Sequence, residues 1–132
     1  MALAYSTTGV RNAMLDTITT AAGNAALLRI YDGSRPATGG AATTLLAELV
    51  CATPFAAGAA AGVLTLGTIS QDASANASGT ATWFRIVKAD GTTIVVDGSV
   101  GTSGSDLNLT TTTITATQPV SVTSFTITEG NP

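Results

Sequence analysis

GTATWFRIVKADGTTIVVDGSV, residues 79–100, decides the fold, because it holds the only Trp, one of the three Phe and the clearest turn signal in the chain. Two β-branched, apolar runs flank Asp90-Gly91, and an Asp-Gly pair supplies the positive-φ positions of a tight turn, so the spacing predicts a β-hairpin. With Asp90 and Gly91 at the tip, Ala89 faces Thr92, Val87 faces Ile94, Arg85 faces Val96 and Trp83 faces Gly98. That register puts Trp83, Val87, Ile94 and Val96 on one side, and Phe84, Ile86 and Val95 on the other. Large apolar groups on both faces require cover on both, from another sheet, a helix or another protein. The expected core is Trp83, Phe84, Ile86, Val87, Ile94 and Phe125.

Working outward, Ala25 to Tyr31 reads as a strand stopped by Asp32-Gly33, and Leu45 to Cys51 as one with Leu45, Ala47, Leu49 and Cys51 inward. Val63 to Ile69 is a further strand, followed by a turn-rich link from Gln71 to Gly79. Beyond the hairpin, Gly101 to Asp106 is a small-residue loop and Leu107 to Thr117 a Thr-rich strand. In Val120 to Thr128 the apolar parity switches near Thr123-Ser124, which predicts a bulge or a crossing between sheets. At the other end, Val10, Met14, Leu15, Ile18, Ala21 and Ala22 draw one stripe on a helix over Thr8 to Ala22. Ser6, Thr7 or Thr8 caps it and Gly23-Asn24 ends it. The architecture expected for residues 1–132 is therefore one mainly β domain, a jelly-roll-like or otherwise Greek-key β-sandwich of about seven to eight strands with one N-terminal α-helix over about residues 8–22.

Two stretches are too poor in large side chains to hold themselves in a core. These are Ser34 to Thr43, SRPATGGAAT, and Phe55 to Gly62, FAAGAAAG. Both are low in charge, as a surface destined for burial against a partner requires, and their order is expected to come from that partner. Arg35, Pro36, Phe55 and Tyr31 are the candidate contact residues, with Tyr5 a further aromatic of that kind.

Charged residues are only 10% of the 132, and the net charge is −3. Five bases (Arg11, Arg29, Arg35, Arg85, Lys88) scattered among eight acids cannot form the basic stripe that nucleic acid needs. The uncharged run Leu49 to Gln71 is broken by Pro54 and several Gly, and reads as loop plus strand, not a membrane span. MALAYSTTGVRNAM lacks the basic and continuous apolar regions of a secretory leader. Cys51 is alone, so no intrachain disulfide forms, and a strand-borne single Cys reads as a small buried apolar group.

The chain has no His and one Cys, and its acids are well spaced, which leaves most catalytic mechanisms without their groups. The reading is of a non-enzyme with no cofactor and no small-molecule substrate. Asp72, Ser74, Asn76 and Ser78 alternate oxygen-bearing side chains as a calcium loop does, but with one carboxylate and no closing Glu they read as a polar turn. Asp97-Gly98 and Asp106 could meet in space. Gly39-Gly40 and Gly101 to Gly104 lack the Lys-Ser/Thr and helix of a phosphate loop and read as turns. Aromatics are 5% of the chain and Trp83 lies mid-strand, which favours core packing over sugar stacking.

The segments RIYDGSRPATGGAATTLLAELV (29–50), GTATWFRIVKADGTTIVVDGSVGTSGSDLNL (79–109) and VSVTSFTITEGN (120–131) resemble a family of small tailed-bacteriophage virion proteins. The resemblance is one of strand and turn text and covers nearly the whole chain after about residue 10. It implies a structural protein of the particle, in the first place a capsid decoration or cement protein on the outer head surface, homo-oligomeric and bound to the lattice of the major capsid protein. A neck or tail part, or a glycan-binding adhesin displayed on the virion, are the other roles it leaves open.

Overall fold

The structure is a computed structural model that describes residues 4–128; the resemblance segment's residues 129–131 and both chain ends lie outside the described residues. It is mainly β, with one N-terminal helix, as expected. The strands are β1 (Leu27–Tyr31), β2 (Leu45–Val50), β3 (Val63–Thr65), β4 (Gly79–Thr80), β5 (Trp83–Val87), β6 (Ile94–Gly101), β7 (Leu107–Asn108), β8 (Thr113–Ile114) and β9 (Thr126–Thr128). A five-stranded sheet in the order β2-β1-β5-β6-β7 forms the main layer, with β3–β9 and β4–β8 as small separate pairs. Neighbours in the main sheet are antiparallel except β6 and β7. The expected Thr-rich strand from Leu107 to Thr117 is thus two short strands. Val120 to Thr128 is strand only at its end, and the parity switch falls in irregular backbone between buried Val122 and buried Phe125.

The helix α1 (Asn12–Ala22) is preceded by a π-helical turn, Thr7–Arg11. There the Ser6 carbonyl accepts from both Val10 N and Arg11 N at 3.0 Å, the i−4 and i−5 bonds that open the π turn, and the expected side-chain cap is not made at Ser6. The buried seam is Leu15 and Ala22 with Ile18 packed beside them, whereas Val10 and Met14 are exposed. Adjacent residues on a helix differ by ~100°, so the seam one position ahead of the docked one turns to solvent.

One face of the sheet carries the core. Leu28, Ile30, Ala47, Leu49, Phe84 and Ile86 lie in facing register across β2, β1 and β5, and all are buried. Leu15 of α1, Leu64 of β3, Ile114 of β8, Phe55 and Phe125 close over them. Phe84 and Phe125 meet edge to face, with centroids 5.1 Å apart.

The hairpin forms where predicted, but its register differs. Val87 faces Ile94, and a bulge then moves the ladder by one, so that Ile86 faces Val96, Arg85 faces Asp97, Phe84 faces Gly98 and Trp83 faces Ser99. Val96 therefore joins the Phe84 and Ile86 side. The tip is wider than a two-residue turn: Lys88 N donates to Thr93 O and Gly91 N to Lys88 O, with positive φ at Gly91 alone. The Asp90 carboxylate closes the tip by accepting from Thr92 N, Thr93 N and Thr93 Oγ1, which hold this exposed carboxyl well below the usual range. Ile94 lies beside this tip and is 36% exposed, contrary to its expected place in the core.

Candidate functional site

The second face of the sheet carries a row of four charged residues. Glu48, Arg29, Arg85 and Asp97 stand opposite one another across β2, β1, β5 and β6. Strand alternation puts each on this face, and the bulge in β6 supplies the last, because without it Arg85 would face Val96. The row is neutral and closed by two ion pairs. Arg29 Nε meets Glu48 Oε2 at 2.7 Å, while Arg29 Nη1 donates to the carbonyl of Gly91 at the hairpin tip. Arg85 meets Asp97 through Nε to Oδ1 at 2.7 Å and Nη2 to Oδ2 at 2.9 Å, a two-point pairing with both side chains buried.

Burial, the largest single influence on Asp97, pushes its carboxyl up. The Arg85 hydrogen bonds, the Gly39 N–H and the charges of Arg85 and Arg35 together outweigh it and leave the group below the usual carboxylate range. The reciprocal hydrogen bonds raise Arg85 against a smaller opposing effect of burial.

Beside this row Tyr31 and Trp83 stack, centroids 4.4 Å apart and 16° between planes, with the Arg85 guanidinium carbon 5.1 Å from the Trp83 ring centroid. Over them runs the β1–β2 connection, 32–44, as a strap. Trp83 Nε1 donates at 3.0 Å to both Asp32 O and Thr43 Oγ1, and the Thr43 hydroxyl donates in turn to Asp32 O. Arg85 Nη2 donates to Gly40 O at 2.9 Å, and Gly39 N to Asp97 Oδ2 at 3.2 Å. The expectation that this loop takes its order from a partner is corrected: the chain's own buried ion pair and Trp83 hold it from beneath.

The second small-residue stretch is held in the same manner from α1. Asn12 and Asp16, one helical turn apart, accept from Gly62 N at 2.9 Å and Ala59 N at 2.7 Å. Phe55, at its start, is 1% exposed and Tyr31 is 5% exposed, so these two candidate contacts are core residues with no side chain offered outward. Phe55 fills space under the sheet, and Tyr31 is consumed by its stack on Trp83. Arg35 is exposed and Pro36 half-buried on the strap.

The Asp72 segment guards an edge. The outer side of β2 bonds in turn to Ser70 N through Val50 O, to Asp72 Oδ2 through Glu48 N at 2.9 Å, and to Asn76 N through Leu46 O. Asp72 Oδ1 meanwhile accepts from Ser74 N. Both carboxylate oxygens are thereby committed to backbone groups. Asp106 reaches β6, accepting from Ser99 N and Ser99 Oγ, while the neighbouring Asp97 carboxylate turns to Arg85 on the far face. Cys51 is buried, and burial pushes its thiol up to about 11.

Sequence reasoning missed the ion-paired row. Its signal was present, since Arg29, Glu48, Arg85 and Asp97 each interrupt an apolar strand and their signs balance. No group of three or more His, Cys, Asp or Glu gathers among the described residues, and none of their helices is long and apolar enough to cross a membrane. No protein-family model matches this chain, and no curated protein or solved structure matches it significantly.

Proposed function

We propose that this protein is a non-enzymatic structural component of a tailed-phage particle, a decoration or cement protein that binds the outer surface of the head and reinforces it. The observation that carries this reading is the state of the strap. Its residues 37–39 and 41–44 are exposed and uncharged, yet they are pinned from beneath by Arg85, Asp97 and Trp83. A surface ordered before it meets a partner loses less conformational entropy on binding, and one without charges is less costly to desolvate. The resemblance of 29–50, 79–109 and 120–131 to virion proteins supports the same reading.

With small side chains and Arg35 as the one basic anchor on the strap, each contact is weak, and affinity for an assembled lattice exceeds affinity for free capsid subunits through effective concentration. Protein that binds only the assembled shell stabilises it by mass action. The test is copy number on purified particles, followed by heating shells with and without the protein. Hundreds of copies and earlier rupture of bare shells are the expected results. About a dozen copies at the tail would replace this reading with a neck or tail role, and a full lattice without a change in rupture would remove the cement role. Specific signal on a glycan array would favour an adhesin.

A further inference from the structure

A groove of about 370 Å³ runs between β6 and β9, floored by Phe84 and Phe125 and rimmed by Asp106. Both of its walls are strand edges with backbone groups aimed inward. On β6, Val100 N bonds to Thr82 O on the β5 side. Antiparallel ladders alternate, so Val96, Gly98 and Val100 bond to β5, whereas Asp97 and Ser99 turn their N–H and C=O outward. Ser99 N is taken by Asp106, and β7 pairs with β6 only at Val100 and Gly101. Asp97 is left facing the groove.

On β9, Leu66 N bonds to Phe125 O, which fixes the phase of the β3–β9 ladder in the same way. Ile127 bonds to β3, and Thr126 and Thr128 direct their backbone groups away from it, into the groove. Among the described residues no strand takes that side of β9. The open edge is three residues long, ~10 Å of extended chain.

We propose that this groove binds an extended segment of another polypeptide by strand addition, joining the main sheet to the β3–β9 pair. Unpaired edges on both sides supply main-chain hydrogen bonds to one inserted strand, and the Phe84–Phe125 floor receives its alternate apolar side chains. The occupant carries a lysine or arginine at the rim, because Asp106 is exposed there and no basic residue lines the groove. The segment guarding β2 shows the contrast: Ser70, Asp72 and Asn76 close that edge along its length, whereas Asp106 takes only Ser99 N on β6 and leaves Asp97 open.

The test uses the full chain and the peptide acetyl-KVTVK-amide, with acetyl-EVTVE-amide as its acidic counterpart. The basic peptide is expected to bind saturably and to slow amide exchange at Asp97, Thr126 and Thr128, and the acidic one to bind far more weakly. Thr126→Pro removes a groove-facing N–H while leaving the β3 ladder its bonds, and weakens binding roughly five- to tenfold. Asp106→Asn provides a second variant, weakening the basic peptide and flattening its salt dependence. Absence of protection at those three amides, protection at β2 instead, or affinity unchanged in both variants would each overturn the proposal.

Discussion

The ring of Phe84 lies against Gly98, its partner across the β5–β6 ladder, in the space a side chain there would fill: a methyl group on Gly98 would stand 2.5 Å from Phe84 Cζ. Glycine at this position is the condition for an aromatic core residue opposite it. Gly98→Ala should therefore force the ring or the strand to move and cost ~1–3 kcal/mol, read from the urea midpoint. Phe84→Ala should cost ~3–5 kcal/mol. Combined with Phe84→Leu, Gly98→Ala should cost less than the sum of the two single changes, since the clash it creates is with the ring; strict additivity would show that the ring is not what excludes the methyl.

Asp97→Asn leaves the Arg85 charge buried without its counter-ion and should destabilise by ~3–5 kcal/mol at neutral pH. The sign of the pH dependence follows from the lowered carboxyl. A folded-state value below the unfolded one contributes stability that is fully present above the unfolded value of ~4 and is lost as pH falls through the folded value. Wild type and Asp97→Asn should thus converge in stability as pH drops below ~4. A constant gap down to the acid transition would show that the pair does not act through ionisation. Asp90 shifts in the same direction and should stay ionised below the pH at which an unfolded Asp protonates, as a carboxyl carbon NMR titration would show.

The same substitution tests the strap. Asp97→Asn should speed amide exchange at Gly39 and its neighbours while leaving the core strands β1 and β5 protected, because Gly39 N and Gly40 O are held by the two ends of the ion pair. If the strap amides exchange at wild-type rates, its order comes from elsewhere.

Asp72→Ala removes an acceptor from Glu48 N on the free side of β2 and from Ser74 N. A loss of ~1–3 kcal/mol is expected for the part-buried bond. More diagnostic is concentration-dependent association by light scattering, since an unguarded edge pairs with other chains. Loss of stability without association would leave Asp72 a turn residue only.

Replacing both Asn12 and Asp16 by Ala should release the Ala-rich stretch from α1, raising exchange at Ala59 and Gly62 but not at Gly39. Equal effects on both loops would mean that they move as one unit.

The sequence by itself determined which segments are helix, strand and turn near the hairpin, because these depend on local periods and on turn residues such as Asp90 and Gly91. It also determined that the hairpin needs cover on both faces and that Cys51 is buried. The tertiary structure alone decided what supplies that cover. A one-residue bulge in β6 exchanges Val96 for Asp97 opposite Arg85, and no local pattern marks where a bulge falls, since it is set by packing across strands. From that single shift follow the buried ion pair and its hold on the strap at Gly39 and Gly40. The groove between β6 and β9 is likewise invisible in the chain, because its walls are 25 or more residues apart in sequence, Asp97 on one and Thr126 on the other, and meet only when the main sheet and the β3–β9 pair close on one core.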